Sequence, residues 1–270
     1  MQGWLETAGV TILVAAGWVL GYRLSRLPRG RWAAALAAPF AVIVIIALAR
    51  RSTYLAFTPP FRWFVAGRTE YVLLGPALMI VLAMLALRLK SKSQRALVAA
   101  FACLAAANLT ILPFALPAAN VKYLLGLDTQ VNSDGVCLQN TAYTCGPASA
   151  VTALRALGVY AGEGEIAVLS HTSAVTGTEG DLLCDVLSSR YGERGIVCEY
   201  RRFTDIGELR SDAVMIALVK YAPFVDHYVA VLDVSDGRVT VGDPLRGQRV
   251  VTVAEFESQW RFAGIVMRRR

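Results

Sequence analysis

Four residues in the second half of the chain have the types and the order that a thiol hydrolase requires. Gln139 lies six residues before Cys145, and His227 lies sixteen residues before Asp243. A cysteine thiolate can attack a carbonyl carbon, an imidazole can carry the proton, and a carboxylate can orient the imidazole. A side-chain amide can donate a hydrogen bond to the oxyanion formed in that attack. These four residues are therefore candidates for one hydrolytic site.

The residues after Cys145 are typical of a helix start. The sequence predicts a helix over Cys145–Leu157 that stops at Gly158. Free N–H groups and the helix dipole at such an end stabilise a thiolate. Gly146 leaves room for a substrate carbonyl, and Pro147 suits the first turn because its missing donor is not needed there. A lone cysteine is more often a buried structural thiol, so the three partner residues are what favour catalysis.

The chain contains two histidines, and either could serve as the base. His227 is expected to begin an apolar strand, from which its ring projects on a rigid element. His171 follows a helical run and is more typical of a surface or capping residue. Asp243 is expected at the end of the next strand, where it can accept a hydrogen bond from His227. An Asp before Pro is also a common turn former. Asp226 is the rival carboxylate, but adjacent strand residues face opposite ways.

Residues 122–270 have the pattern of a single α+β domain of ordinary size. Helical periodicity comes first and β-rich runs follow, with Asp236-Gly237 as a hairpin turn. The expected helices are Cys145–Leu157, Gly164–His171, Asp181–Tyr191 and Ala254–Trp260, and the expected strands are Val214–Val219, Tyr228–Val234, Arg238–Val241, Arg249–Val253 and Gly264–Met267.

Four motifs in this half together resemble the C39 peptidase family, which comprises the double-glycine leader peptidases and their relatives in the papain superfamily. They are Gln139…Cys145-Gly146-Pro147, Gly177-Thr178, His227-Tyr-Val-Ala-Val and Asp243-Pro244-Leu-Arg-Gly247. The resemblance covers roughly residues 130–268. It implies a papain-like fold, with Cys145 as nucleophile, His227 as base and then acid, Asp243 as orienter and Gln139 as oxyanion donor. It also implies cleavage after small residues.

The best-known members of that family carry the peptidase domain ahead of an ABC exporter. This sequence has no Gly-x-x-x-x-Gly-Lys-[Ser/Thr] loop, so no ATPase domain is expected in this chain. The motifs support the hydrolytic chemistry. Because the exporter domain is missing, they do not indicate a bacteriocin leader as the substrate.

Residues 1–121 are expected to form a transmembrane region of four helices in the lipid bilayer. The hydrophobic fraction of the whole chain, 56%, is too high for an ordinary soluble protein. A membrane span needs about 20 apolar residues. Four uncharged stretches approach or exceed that length: Thr7–Tyr22, Trp32–Ala49, Tyr71–Leu87 and Ala96–Val121. Because none of them contains an acidic or basic residue, the region is interpreted as an anchor rather than a transporter.

The charges of the two halves differ in sign. Residues 1–120 contain 12 Lys and Arg against two glutamates, a net charge of +10, whereas residues 121–270 have a net charge of −3. The positive charge flanks the apolar stretches, so nucleic acid is not an expected partner. The arginine-rich loops 23–31 and 88–95 are expected in the cytoplasm, although loop 50–70 also carries arginines. A multi-pass protein of a bacterial plasma membrane with an extracytoplasmic catalytic domain is predicted.

The other cysteines carry less information. Cys103 lies in the fourth apolar stretch and is expected to serve packing. Cys137, Cys184 and Cys198 would permit one disulfide in an oxidising exterior, with Cys184–Cys198 the favoured pair. The spacings match no zinc pattern and thiolate chemistry needs no metal, so neither a metal nor a cofactor is expected.

The sequence thus predicts a membrane-anchored cysteine peptidase that acts on a leader peptide, or on an exported or membrane-proximal protein. Two alternatives stay open. One is a non-catalytic C39-like module that binds peptides. The other is an amidase or transpeptidase acting on cell-wall peptides with the same residues.

Overall fold

The computed structural model describes residues 2–223 and 225–270, and the chain divides into two compact units, Met1–Ala118 and Ala119–Arg270. The first unit is helical, and the second is built on an antiparallel sheet with helices. The fold class expected from the sequence, four long apolar helices followed by an α+β peptidase domain, is confirmed.

Four helical segments of the first unit are long and apolar enough to cross a membrane: Gly3–Leu24, Arg29–Arg51, Thr69–Ala86 and Lys92–Ala119. Two short helices lie within residues 50–70, which are expected from the sequence to form a loop. In chain order the helices are α1 (Gln2–Leu24), α2 (Arg29–Arg51), α3 (Thr53–Phe57), α4 (Arg62–Val65), α5 (Thr69–Ala86), α6 (Lys92–Ala106) and α7 (Leu112–Ala119), with a π-helical turn at Ala107–Ile111.

Helices α1 and α5 pack closely because α1 carries glycine where the two backbones meet. A methyl group on Gly17 would lie 2.7 Å from the Pro76 carbonyl oxygen. One on Gly21 would lie 2.6 Å from the Ile80 carbonyl oxygen. Helices in a membrane gain no hydrophobic stabilisation from pairing, since lipid is equally apolar. Small residues at the contact allow close van der Waals packing, which stabilises the pair instead.

Both acidic residues of the first unit lie inside helices, although each falls just before one of the uncharged stretches recognised in the sequence. Glu70 is buried in the first turn of α5 and forms an ion pair with Arg50. Glu6 in α1 forms an ion pair with Arg68. The expectation of spans without acidic or basic residues is therefore corrected: the helices extend past the uncharged residues, and arginine neutralises each acid near a helix end.

The second unit combines helices with β-strands. In chain order the elements are α8 (Val121–Leu125), β1 (Gln130–Val131), β2 (Cys137–Leu138), α9 (Cys145–Ala156), α10 (Glu163–Leu169), α11 (Gly180–Tyr191), β3 (Ile196–Arg202), β4 (Val214–Ala222), β5 (Val225–Ser235), β6 (Arg238–Asp243), β7 (Gly247–Thr252), α12 (Val253–Gln259) and β8 (Trp260–Arg269). Six strands form an open sheet in the order β3-β8-β4-β5-β6-β7, in which all neighbours are antiparallel. A two-stranded hairpin of β1 and β2 lies outside this sheet.

The two faces of the sheet cover two separate apolar clusters, as the two-residue period of strands requires. Tyr228 of β5 packs in the cluster that includes α9 and α11. Its neighbour Val229 packs with Phe256 of α12 and the buried Trp260 in the other cluster. Helix α9, which starts at Cys145, is thus fixed to the sheet through β5.

The sequence missed some strands and shortened others. Strand β3 was not predicted because three of its seven residues are charged, which suits the edge of a sheet, and its pairing with β8 leaves no local signal. The hairpin of β1 and β2 was missed because each strand has only two residues. Strand β8 begins at Trp260, which the sequence placed at the end of a helix. The structure places Trp260 in the core instead, where its Nε1 donates to the Ala263 carbonyl.

Candidate active site

Cys145 is the first residue of α9, as the sequence predicts. Its side chain is half-buried, whereas Gly146 and the rest of the first turn are buried. The first helical hydrogen bond runs from the Ala148 N–H to the Thr144 carbonyl. The N–H groups of Cys145 and Gly146 therefore have no partner within the helix, and Pro147 has no N–H to satisfy. This end of α9 can stabilise negative charge on sulfur or on a nearby oxygen.

His227 and Asp243 form a buried pair on neighbouring strands. His227 Nε2 lies 2.9 Å from Asp243 Oδ1, and the two side chains are only 8% and 10% exposed. The same Asp243 oxygen accepts from the Leu245 N–H at 2.9 Å, which fixes the carboxylate. With Nε2 committed to the carboxylate, Nδ1 is the nitrogen left to exchange a proton.

The His227 ring favours its protonated form. Burial opposes the charge, but the hydrogen bond to Asp243 and the interaction with Cys145 outweigh burial and raise the pKa of His227 to about 9. For Asp243, burial acts in the opposite direction, yet the bonds from His227 and Leu245 keep the pKa of that carboxyl below its usual value. An imidazolium held between a carboxylate and a thiol is the arrangement that thiol hydrolases use.

Gln139 lies in the loop before α9, and its backbone is tied to the Asp243 turn. The Gln139 N–H donates to the Pro244 carbonyl at 3.1 Å. Its side-chain Nε2 donates to the Thr141 carbonyl at 2.6 Å, and its Oε1 is buried without a hydrogen-bond partner. An amide nitrogen carries two hydrogens, so one stays available to a substrate oxygen. The sequence did not foresee that Gln139 also braces its own loop.

Glu163 fixes the same loop through hydrogen bonds to Asn140, a role that was not predicted from the sequence. Its side chain is completely buried at the start of α10. One carboxylate oxygen accepts from the Asn140 N–H at 3.0 Å, and the other accepts from Asn140 Nδ2. A buried carboxylate is stable only when its oxygens are bonded, so Glu163 and Asn140 lock each other in place. A signal could have come only from knowing which residues meet across this loop.

Gly146 serves packing in addition to any room it leaves for substrate. A methyl group there would lie 3.0 Å from both Cβ and Oγ1 of Thr178. The Thr178 hydroxyl is itself bonded to Thr172 at 2.8 Å. The Gly177-Thr178 motif therefore supports the first turn of α9 from the side.

The rival residues lie elsewhere. Asp226 forms an ion pair with Arg261 at 2.7 Å, so its carboxylate is used outside the His227 pair. His171 lies in the turn after α10 with a left-handed backbone, φ 52°.

The expected Cys184–Cys198 disulfide is absent, since both thiols are free. Burial, together with the nearby Cys184, raises the pKa of Cys198 to about 12, and burial raises the pKa of Cys184 to about 11, so both thiols favour the protonated form at neutral pH.

A cavity of about 450 Å³ adjoins the His227–Asp243 pair. Strands β4 to β7 and helix α12 form its walls, and both polar and apolar side chains line it. Among residues 2–223 and 225–270, no three His, Cys, Asp or Glu side chains are arranged to hold a metal ion. Because His227 and Asp243 line the cavity, it is a candidate space for part of a substrate.

The sequence is similar to proteins of one family. The profile of the peptidase C39 family matches residues 134–270. An uncharacterized protein from Methanothermobacter marburgensis is 36% identical over 110 residues, covering 41% of this chain and 71% of that protein. One from Methanothermobacter thermautotrophicus is 30% identical over 125 residues, covering 46% and 82%.

Solved structures with a similar fold include the peptidase domain of Streptococcus ComA, described as a bifunctional ABC transporter involved in quorum sensing. It is 17% identical, with coverage of 49% of this chain and 96% of that one and a TM-score of 0.41. A C39-like peptidase from Bacillus anthracis is 14% identical, with coverage of 53% and 99% and a TM-score of 0.42. Because the family profile matches half of the chain's residues, this chain belongs to the peptidase C39 family.

Proposed function

We propose that this protein is a membrane-anchored cysteine peptidase with Cys145, His227 and Asp243 as its catalytic triad and Gln139 as an oxyanion donor. The observation that carries the proposal is the buried hydrogen bond between His227 and Asp243, on a ring that also interacts with Cys145. Membership of the peptidase C39 family supports the same chemistry.

The first half-reaction forms a thioester. With its proton held on His227, the Cys145 sulfur attacks the peptide carbonyl carbon, and the C–O electron pair moves onto oxygen. The free Cys145 N–H and the second hydrogen of Gln139 Nε2 are the proposed donors to that oxyanion. As the C–N bond breaks, the imidazolium gives its Nδ1 proton to the departing amine.

The second half-reaction returns the enzyme to its starting state. His227, now neutral, takes a proton from water through Nδ1 while the hydroxide attacks the thioester carbonyl. The C–S bond then breaks, the proton returns to the Cys145–His227 pair, and the acid product leaves. Asp243 stays ionised throughout and holds the ring with Nδ1 towards the sulfur.

The substrate is proposed to be a peptide segment close to a membrane, cut after small residues. The four apolar helices support a membrane location. The preference for small residues is carried over from the family resemblance. The proposed side is extracytoplasmic, where the substrate would be an exported or surface protein.

The test uses the full chain in a neutral detergent with quenched fluorescent peptides that contain a Gly-Gly pair. Wild type should cleave after the pair, and Cys145→Ser should lose on the order of 10³-fold or more in kcat/KM. Cys103→Ser, which changes a free thiol outside the site, serves as the matched control. Cleavage that persists in Cys145→Ser would contradict the proposal.

A further inference from the structure

The cavity beside His227 and Asp243 has an apolar floor and a charged mouth. Val229, Val241 and Phe256 belong to the floor, and they are buried in the cluster under α12. Tyr221 stands at the other side, with its ring centroid 5.6 Å from that of His227. A volume of about 450 Å³ is enough for one or two amino-acid side chains.

Three cations and one acid besides Asp243 contribute to this lining: Lys220, Arg246, Arg249 and Glu255. Glu255 is already engaged, since its Oε2 accepts from both the N–H and the hydroxyl of Thr252 in a capping box. Lys220 donates to the Ser258 carbonyl at 3.2 Å, which uses one of its three hydrogens. Glu255 keeps its negative charge and lies near Arg249, as Asp243 lies near Arg246. With three cations against two acids the lining still has an excess of positive charge.

The two arginines have the greatest capacity for a new partner. Both side chains are exposed, and neither guanidinium donates a hydrogen bond to a residue in the described ranges 2–223 and 225–270. Arg246 follows the Asp243 turn, and Arg249 lies on β7, so both are carried by elements that fix the catalytic carboxylate. A guanidinium offers a rigid pair of donors that matches a carboxylate.

The cavity also has a defined place along a bound peptide. His227 and Asp243 line it, but no residue of α9 does. The imidazole gives its proton to the departing amine, so the space beyond the ring from Cys145 is where the leaving peptide lies. A group bound in this cavity would therefore lie on the carboxyl-terminal side of the scissile bond.

We infer that this cavity is a specificity subsite for a carboxylate within the first residues after the scissile bond, bound by Arg246 and Arg249. The inference rests on the proposed peptidase function and adds a substrate class to it. The carboxylate is that of an Asp or Glu side chain or of a nearby chain end. The apolar floor takes the methylene groups of the same residue.

The experiment compares amide-capped peptides that differ only in Glu or Gln two residues after a Gly-Gly pair. A third peptide has Gln there and ends at that residue with a free carboxylate. For wild type at low salt we expect the Glu peptide to have kcat/KM on the order of tenfold higher than the Gln peptide. The advantage should shrink as salt is added, because the arginines are exposed. Preference for the third peptide would assign the carboxylate to a chain end.

The variants separate the subsite from the catalytic residues. Arg246→Gln/Arg249→Gln should bring the ratio of kcat/KM for the Glu peptide to that for the Gln peptide close to one. Arg238→Gln, at the opposite end of β6 from Asp243, is the matched control and should keep the preference. Charge reversal by Arg249→Glu should favour a peptide with Lys at the same position.

The results distinguish failure of the subsite from failure of the enzyme. Equal, Cys145-dependent cleavage of the Glu and Gln peptides would overturn the subsite and leave the peptidase standing. If no peptide is cleaved, binding to Cys145→Ala protein, measured by fluorescence anisotropy, decides the question. Tighter binding of the Glu peptide that depends on Arg246 and Arg249 supports the subsite, and equal binding refutes it.

Discussion

His227 and Asp243 meet diagonally across two strands, not directly opposite each other. Ala230 pairs with Gly242, and continuing that register would place Asp243 opposite Val229, two residues along β5 from His227 on the same face. Diagonal neighbours are about 7–8 Å apart at the backbone, which only longer side chains can bridge. The imidazole spans this gap and reaches the carboxylate at 2.9 Å, so neither residue can be shortened without loss of the pair.

The diagonal bond gives a prediction about pH. The pKa of His227 lies at about 9, above its ordinary value, so the protonated ring persists at neutral pH and is lost as pH rises through 9. We expect kcat/KM to fall on its alkaline side with that group. Asp243→Asn removes the charge that favours the imidazolium, so the fall should move to lower pH, and kcat should drop by up to about 10⁴-fold.

The raised pKa of His227 also makes the stability of the folded protein depend on pH. A group whose pKa is raised by folding stabilises the folded state fully below its unfolded pKa of about 6.5 and loses that effect as pH approaches 9. Wild type should therefore lose more stability than His227→Ala between pH 6.5 and 9, measured by thermal unfolding in detergent. Parallel unfolding curves for the two proteins across that range would contradict the raised pKa.

Alkylation should distinguish Cys145 from the buried thiols of the same unit. Burial raises the pKa of Cys137 and Cys198 to about 12 and that of Cys184 to about 11, so these thiols should stay protonated at pH 7. In a Cys103→Ser background, iodoacetamide should label Cys145 first, as measured by peptide mass spectrometry. His227→Ala should slow this labelling, since the ring no longer takes the proton. Equal labelling of all four thiols would refute the prediction.

Gln139 has a loop contact and a proposed oxyanion role, and an isosteric variant that removes both is followed by two separate measurements. Gln139→Glu keeps the size of the side chain but removes both amide hydrogens, including the one on the Thr141 carbonyl. If the amide serves the oxyanion, kcat should fall by roughly 10²–10³-fold with little change in KM. Thermal unfolding measures the loss of the loop contact in the same variant. A lower melting temperature with unchanged kcat would leave Gln139 with the structural role alone.

Glu163 is expected to control the position of Gln139 without touching substrate. Glu163→Ala leaves the Asn140 N–H without its acceptor, at a cost of about 1–3 kcal/mol. It also removes one of the two acceptors of Asn140 Nδ2, which still donates to the Asp128 carbonyl at 2.7 Å. We expect a lower melting temperature together with a lower kcat. Glu165→Ala is the control on the same helix, because its ion pair with Arg190 is exposed and worth little. Equal effects of the two variants would remove the special role of Glu163.

The fold and the candidate residues could be predicted to the extent that short-range signals determine them. Pro147 and Gly158 mark the two ends of the helix that carries Cys145, and Asp236-Gly237 marks the turn between the strands of His227 and Asp243. Such turn and cap signals depend only on neighbouring residues, so they can be recognised in one sequence.

The rest depends on contacts between distant residues. Glu163 meets Asn140 across 23 positions, and the Gln139 N–H meets the Pro244 carbonyl across more than a hundred. The charged cavity exists because α12 meets strands β4 to β7 of one sheet, which no local pattern indicates. Strand β3 was missed for a related reason: the strand is defined by its pairing with β8, not by its own residues.

The last prediction concerns the side of the membrane on which the peptidase unit lies. Four spans would put the residues after Lys92–Ala119 on the same side as the N-terminus. Loops 23–31 and 88–95 carry eight Lys and Arg, against five on the other side in loop 50–70 and at Lys122, which favours cytoplasmic placement of the first two loops. The peptidase unit is then expected outside the cytoplasm.

Reporter fusions after Arg270 test this expectation. A reporter active only outside the cytoplasm should be active, and one fluorescent only in the cytosol should stay dark. The matched control moves charge between loops: replacing Arg23, Arg26 and Arg29 by Gln while adding Lys to loop 50–70 should reduce the outside signal, since loop charge sets orientation. Bright cytosolic fluorescence from the unaltered chain would place the unit inside, where the processing of leader peptides before export becomes the better assignment.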